Sequence, residues 1–352
     1  MRGKRIVSIA LMAVACLAQQ PARAMPVPVI SISKLTEGAT LIVVGEVTSV
    51  SEEENGTFEL EGQTRRARRM LGALRVDKAI KGKADKEVSF RFFIPEEFLG
   101  YANVQAGQFG MYFFRETPEG LVFVSSYYPS ILAMREGCAT AGRDLDGVVS
   151  EIDCILKSPA ATNRDLLTTI QYFRTVPPAM AIPPLRAAAR KLPSPFNVLA
   201  SYILVHHNDV SMLPLLEESL QKSSKLLVQV EDGSSEFNLS GALAFIKDEA
   251  AIPALSRLII SSDVQTRRDA AGAFRHISSE AIIAPLSKLL YDEDWEVRWI
   301  AVMGLASVAG DDDDESWYPS HQAFRENEQH YLDHWRQWVK KKGFELKRTD
   351  KL

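Results

Sequence analysis

The sequence predicts an α+β protein built from two unlike parts: a small antiparallel β-barrel over residues 25–135 and an all-α solenoid over residues 161–310. Three observations support this division. Short strand patterns separated by turns fill the first part, apolar residues at helical spacing fill the second, and that second pattern recurs after 31 positions. Residues 136–160 are expected to connect the parts, and residues 311–352 to form an acidic loop and a capping helix.

Residues 1–24 have the pattern of a secretory signal peptide. A basic start is followed by an apolar stretch that is short for a membrane span, and a small-x-small site ends at Ala24. An alternative is a lipoprotein signal ending at Cys16, although Ala13 is a poor occupant of a position that usually holds leucine. We therefore expect an exported protein, periplasmic or secreted, with membrane contact only if Cys16 carries lipid.

The charge of the chain argues against nucleic acid as a partner. Cleavage after Ala24 removes four basic residues and no acid, so the formal net charge changes from −4 to −4 − 4 = −8. A net negative chain repels phosphate backbones.

Two cysteines, Cys138 and Cys154, remain after cleavage. An even pair in an exported chain predicts one disulfide, and two buried free thiols are the alternative. A disulfide that closes a loop of 16 positions is expected to stabilise the folded state by about 3 kcal/mol, because it lowers the entropy of the unfolded chain.

The barrel is predicted from five strand patterns between about Ser33 and Ala133. Gly45 marks a bulge or bend in the first strand, and a turn at residues 117–120 makes a hairpin of the last two. The strand patterns occupy residues 39–51, 71–80, 87–94, 108–116 and 121–126.

The segments LIVVGEVTSV, ALRVDKAIKG, EVSFRF and VQAGQFGMYFFRE resemble the oligonucleotide/oligosaccharide-binding (OB) type of barrel found at the start of many exported bacterial proteins. The likeness covers about the first third of the chain. Netrin-like domains and tissue inhibitors of metalloproteinases have the same barrel, and the inhibitors chelate zinc through an N-terminal cysteine. Because the mature chain is expected to begin at Met25, that mechanism is not expected here.

A dense basic run, Arg65, Arg66, Arg68 and Arg69, lies between the first two predicted strands. It is interpreted as a solvated hairpin loop. An anion-binding loop is the alternative, but no aromatic residues are interleaved to form a stacking platform.

The 31-position repeat relates residues 252–277 to residues 283–308. Asp263 recurs as Asp294 and Arg267 recurs as Arg298. The aspartates are expected to cap helices. The arginines are expected to have a structural role and to form hydrogen bonds with a carbonyl or with a neighbouring acid, such as Asp263 or Asp294. Replacement of either arginine by alanine is expected to cost a similar amount of stability.

The pattern D-x-x-x-R-x-x-A-x-x-x-L after I-P-x-L-x-x-L resembles the HEAT family, in particular the short HEAT-like units of phycobilisome lyases. It covers about residues 195–310, with looser copies at residues 195–220 and 237–246. The resemblance implies stacked helix pairs that bind a protein along their surface. We therefore expect a non-catalytic protein-binding scaffold, with binding of an envelope glycan or other ligand by the barrel as the alternative.

The last helix is predicted over residues 322–344, and one of its faces consists of large apolar side chains. Glu326, His330 and His334 follow i, i+4, i+8 spacing on it, so a metal site, and hence a metal-dependent enzyme, is a third interpretation. The segment lacks the glutamate beside the first histidine that a zinc-peptidase helix uses as a base. The chain also has no serine elbow or phosphate-binding loop, so neither enzymatic activity nor a cofactor is expected.

Overall fold

The computed structural model describes residues 31–60, 62–96, 104–135, 138, 142–310 and 317–344. A mostly antiparallel sheet is followed by a helical half, so the α+β class is confirmed. The predicted signal peptide, with Cys16, lies outside the described residues. Most of the predicted acidic loop, residues 311–316, lies outside them as well.

Six strands form the N-terminal sheet in the order β1-β2-β3-β5-β4-β6. An additional pairing between β1 and β4 closes five of these strands into a ring, in which only β3 and β5 run parallel. The strands are β1 Leu41–Leu60, β2 Gln63–Lys81, β3 Glu87–Pro95, β4 Phe109–Thr117, β5 Gly120–Phe123 and β6 Ser130–Ile131.

The bulge expected at Gly45 lies where the β1–β2 register shifts, between Val44 and Gly45. A Cβ at this position would lie 2.1 Å from the carbonyl oxygen of Arg75. Only glycine allows so close an approach of the two strands.

The first element is a helix, α1 (Ile32–Gly38), whereas the sequence predicted strand structure from about Ser33. The hydroxyl of Ser31 accepts a hydrogen bond from the amide of Lys34 and caps this helix. Ile32 and Leu35, three positions apart, are buried by it.

The helical half contains eleven α-helices in the described residues, with short 3₁₀ turns between several of them. They are α2 Asp144–Lys157, α3 Asn163–Tyr172, α4 Pro178–Lys191, α5 Phe196–His206, α6 Leu213–Leu220, α7 Ile252–Leu258, α8 Val264–Phe274, α9 Ile283–Leu289, α10 Trp295–Ala309, α11 His321–Glu326 and α12 Glu328–Lys341. No helix in the described part of the chain is long and apolar enough to cross a membrane.

The 31-position spacing of the sequence is also the spacing of the helices. Helices α7 and α9 begin 31 residues apart, and so do α8 and α10. Asp263 and Asp294 stand at equivalent N-caps, where each side chain accepts a backbone hydrogen bond three residues on. Gly304 allows α10 to approach α9 closely, because a Cβ there would lie 2.8 Å from Leu286.

The expectation that everything after residue 161 is helical is wrong at one place. Strands β7 (Lys225–Val230) and β8 (Gly233–Asn238) form an antiparallel hairpin. Its two-residue turn is Glu231 and Asp232, and Gly233 begins β8. An Asp-Gly pair favours a hairpin between alternating apolar residues. The proposed repeat copy at residues 237–246 therefore begins in β8 and continues as a 3₁₀ turn, Ser240–Phe245.

One apolar core joins the sheet to the first helices. Ile42 and Met111 of the sheet lie in the same buried cluster as Ile152 of α2 and Leu199 of α5. The segment at 136–160, expected to be a connector, therefore contributes a core helix. A second cluster fills the inside of the ring with aromatic and aliphatic side chains, among them Phe90, Tyr112, Phe114 and Phe123.

The C-terminal segment forms two helices rather than one. Helix α11 ends at Glu326, Asn327 interrupts the helix, and α12 begins at Glu328. Trp335 of α12 is fully buried in a core cluster that also contains residues of α7 to α10.

Candidate binding groove

An open groove follows the exposed face of α8 and α10 and ends against α11. It consists of two adjoining cavities of ≈260 Å³ and ≈640 Å³, and Glu296 lines both. The first cavity is lined in part by Gln265, Arg268, Asp269, Gly272, Trp299 and Ile300. The second is lined by Trp295, Glu296, His321, Gln322, Arg325 and Glu326.

The groove is lined by positions that are 31 residues apart on two helices. Gln265, Arg268 and Asp269 of α8 line it, and the residues 31 positions later, Glu296, Trp299 and Ile300 of α10, line it as well. Residues 265, 268, 269 and 272 share one helix face because they follow i, i+3, i+4, i+7 spacing. The side chains differ between the two units, so adjacent units present different chemistry at the same positions.

Aromatic and cationic side chains form the wall near α11. The guanidinium of Arg325 lies 3.9 Å from the ring centre of Trp295. The imidazole of His321 meets Trp299 edge-on, with ring centres 3.8 Å apart. The indole nitrogen of Trp299 donates a hydrogen bond of 3.1 Å to the carbonyl of Pro319. Tryptophan and arginine are among the residue types that dominate the energetics of protein interfaces.

A bidentate ion pair supports the middle of the groove. Nε and Nη2 of Arg268 donate to the two carboxylate oxygens of Asp294 at 2.9 Å and 2.7 Å. Nη1 of Arg268 also lies 2.8 Å from Glu296. These hydrogen bonds from Arg268 lower the pKa of Asp294 and raise that of Arg268, so both stay charged near neutrality.

Asp269 and Glu326 of the groove accept hydrogen bonds from neutral side chains, and two arginines of the groove form no salt bridge within the described residues. Asp269 accepts hydrogen bonds from Ser240 and Gln265, and Glu326 accepts one from Gln322. Arg275 and Arg325 are exposed, and no salt bridge joins either of them to a carboxylate of the described residues.

Arg267 and Arg298, the arginines of the 31-position pattern, bind backbone carbonyls just before their own helices. Nη1 of Arg267 donates to the carbonyls of Ser261 and Ser262, and Nη1 of Arg298 donates to the carbonyls 31 positions later, at Asp292 and Glu293. Arg298 also pairs with Glu328. Asp294, named above as a possible partner of Arg298, is instead bound by Arg268, and Asp263 accepts from Ser224.

The basic run is not a loop, contrary to the interpretation from sequence. Arg65, Arg66, Arg68 and Arg69 all lie within β2, because β1 continues to Leu60 and the turn follows it. The glutamates of β1 face this run across the strand pair. Arg69 pairs with Glu53 and Glu54 at 3.1 Å and 2.7 Å, and Arg68 approaches Glu52 at 3.8 Å. These contacts neutralise much of the charge on which the anion-binding alternative depended.

The proposed metal triad is not assembled. Glu326 closes α11, whereas His330 and His334 lie on α12 beyond the break at Asn327, so the three residues do not share one helix face. Both imidazoles stack on Trp317, with ring centres 4.9 Å and 3.5 Å away. In the described part of the chain, no three histidine, cysteine or acidic residues are grouped so that they could hold a metal ion.

The predicted disulfide is confirmed: Cys138 and Cys154 are bonded, with Cα atoms 5.8 Å apart. Beside it, Lys78 of β2 forms a salt bridge with Glu151 of α2, whose side chain is fully buried, and donates to the carbonyl of Cys138. The disulfide therefore reinforces the junction between the sheet and the helical half.

No protein-family profile matches the sequence, and comparison with curated proteins gives no relative. Sequence reasoning found the 31-position spacing that the helix starts share, but missed the groove. The sequence contained a signal for the groove, which is two tryptophans on the polar side of a helix. Trp295 and Trp299 lie on the side of α10 that corresponds to positions 265, 268 and 269 of α8, where polar residues are expected.

Proposed function

We propose that the protein is an exported, non-catalytic scaffold that binds another protein in the groove of a HEAT-like solenoid. The observation that carries this proposal is the groove's position on the repeated face of α8 and α10, with Trp295, Trp299 and Arg325 on its wall. Repeat proteins bind partners along such extended surfaces. Export is supported by the N-terminal signal pattern and by a disulfide, which persists in oxidising compartments.

The N-terminal ring is proposed to be an OB-like barrel that anchors the helices. Its strand order and the β1–β4 closure are compatible with this assignment. The competing proposal gives the barrel the binding role. It is less well supported because Arg68 and Arg69 face glutamates and aromatic side chains fill the inside of the ring.

Site-specific photo-crosslinking in the full-length chain tests the proposal. A photoreactive residue is placed at Gln322 in the groove, at Thr64 on the β1–β2 hairpin, or at Arg190 on α4 as a control; all three positions are exposed. Irradiation in the native envelope is expected to give one discrete crosslinked protein from position 322 alone. A product from position 64 alone would favour the barrel, and no product from either would reject both binding proposals.

A further inference from the structure

Two tripeptides of the chain have the acceptor pattern for N-linked glycans, Asn-x-Ser/Thr. Residues 55–57 are Asn-Gly-Thr and residues 238–240 are Asn-Leu-Ser. Each asparagine also follows a glutamate by two positions, Glu53 in the first case and Glu236 in the second. The two tripeptides are therefore nearly equivalent in sequence, and the structure is what distinguishes them.

The first tripeptide presents both of its functional groups to solvent. Asn55 and Thr57 lie in β1, where side chains two positions apart project from the same face. Both residues are exposed, and no other described residue forms a hydrogen bond with either side chain. A transferase that must hold the asparagine amide and the hydroxyl two residues later can therefore reach both in the folded protein.

The surroundings of Asn55 leave room for an enzyme and for a bulky product. Arg68 and Arg66 of β2 stand opposite Asn55 and Thr57 and are exposed, so this whole face of the hairpin is open. Strand β1 pairs with β4 only over Leu41–Glu46. The edge of β1 beside Asn55 therefore has no backbone partner among the described residues and is accessible as well.

The second tripeptide has its hydroxyl inside the fold. Asn238 is exposed, but Leu239 and Ser240 are buried. The hydroxyl of Ser240 lies 3.0 Å from Oδ1 of Asn238 and also bonds Asp269 of α8. A transferase could bind this hydroxyl only if the end of β8 detached from α8.

We propose that Asn55 is an N-glycosylation site and that Asn238, despite its matching sequence, is not modified in the folded protein. The donor is an oligosaccharide carried on a lipid pyrophosphate. Nδ2 of Asn55 forms a bond to the anomeric carbon of the first sugar, while the bond from that carbon to the pyrophosphate oxygen breaks. The amide proton passes to a base of the transferase and the lipid pyrophosphate leaves, so no group is oxidised or reduced.

This inference rests on export, which is part of the proposed function, because N-linked glycans are found on secreted chains. It is independent of the groove on α8 and α10. A glycan at Asn55 would cover the exposed face of the β1–β2 hairpin and would make that face a poor docking surface for another protein.

Mass spectrometry of the full-length protein isolated from its native source tests the proposal. Trypsin separates the two sites, because one lies in the peptide of residues 35–65 and the other in the peptide of residues 226–247. The first peptide is expected to have its mass increased by that of a glycan, which fragmentation should locate on Asn55. The second peptide is expected to have the mass of the unmodified sequence.

Variants expressed in the same source test the requirement for the hydroxyl. Asn55→Gln and Thr57→Ala are expected to lose the glycan completely, whereas Thr57→Ser retains it because the hydroxyl is kept. Asn238→Gln is the matched control and is expected to leave the glycan in place. All three positions are exposed, so the melting temperatures of the variants, after enzymatic removal of any glycan, should equal that of the parent protein.

Several results would overturn the inference: an unmodified Asn55, its conversion to aspartate without a glycan, a glycan on Asn238, or a glycan retained by Thr57→Ala. The N-terminal peptide of the same digest separates these failures from failure of the proposed function. A chain that begins at Met25 with an unmodified Asn55 would leave export standing. A chain that still begins at Met1 would reject export as well.

Discussion

Arg267 and Asp292 form an ion pair that is almost completely removed from solvent. Their side chains are 8% and 9% exposed, and Nε of Arg267 lies 3.0 Å from Oδ2 of Asp292. The equivalent arginine, Arg298, is 18% exposed and pairs with Glu328, which is 30% exposed. Two positions that the repeat makes equivalent therefore have unequal surroundings.

This inequality changes the expected effect of replacing the two arginines. Arg267→Ala leaves Asp292 as an unpaired buried charge and is expected to cost about 3 kcal/mol or more. Arg298→Ala is expected to cost about 1–2 kcal/mol, because Glu328 can recover water contacts. Urea unfolding measures both values. Equal losses would contradict the role assigned to the burial of Asp292, and an unchanged stability with lost binding would show that Arg298 acts on a ligand.

The stability contributed by Asp294 is expected to depend on pH. The hydrogen bonds from Arg268 lower the pKa of Asp294 below its ordinary value of 3.8, so the folded state favours the charged form. The stabilisation by charged Asp294 is therefore present at pH values above 3.8, the ordinary pKa. It is lost as the pH falls through the pKa of the folded state, which is lower. Asp294→Asn keeps a good helix cap but removes the charge.

Asp294→Asn is expected to be less stable than the parent protein at pH 7 by about 1–3 kcal/mol. The difference should shrink as the pH is lowered below 3.8. Unfolding curves recorded over a pH series provide the test, with Arg268→Gln as the variant expected to behave in the same way. A difference that stays constant in strong acid would exclude the ion pair as its cause.

The disulfide is expected to stabilise the junction between sheet and helices. Replacement of both Cys138 and Cys154 by serine should lower the free energy of unfolding by about 3 kcal/mol. Adding reductant should destabilise the parent protein by a similar amount and leave the double variant unaffected. Alkylation of both thiols in unreduced protein, detected by mass spectrometry, would contradict this expectation.

The N-terminal sheet is not expected to fold alone. Ile42, Val44 and Met111 lie in the cluster shared with α2 and α5, so a fragment of residues 25–135 would expose them to water. A fragment of residues 25–222 keeps these helices and should give dispersed amide signals in an NMR spectrum, whereas the shorter fragment should not. A well-dispersed spectrum from residues 25–135 would show that the two parts are independent domains.

The sequence identified those parts of the fold that local patterns encode. Turn residues located the hairpin of β4 and β5, and the aspartates at 263 and 294 located two helix starts. The hairpin of β7 and β8 is not predicted from the sequence, although Asp232-Gly233 is a turn signal, since the adjoining residues 237–246 are assigned to a helical repeat copy.

The partners of the arginines were less predictable because they depend on tertiary packing. Arg65 to Arg69 looked like a loop since charged runs are usually solvated, but the opposing glutamates of β1 stabilise them as a strand. In the groove, Trp295, Trp299 and Arg325 are visible in the sequence, but their proximity is not. Arg325 contacts Trp295 because α11 turns back against α10.

The hairpin of β7 and β8 has a mechanical consequence. At its turn, Glu231 accepts hydrogen bonds from the first amides of α3, at Asn163 and Arg164. At its base, Ser224 donates to Asp263, the cap of α8. Because the hairpin is hydrogen-bonded at both ends, we expect it to oppose movement of α3 relative to α8. The helices after α8 lie beyond this link and are not restrained by it.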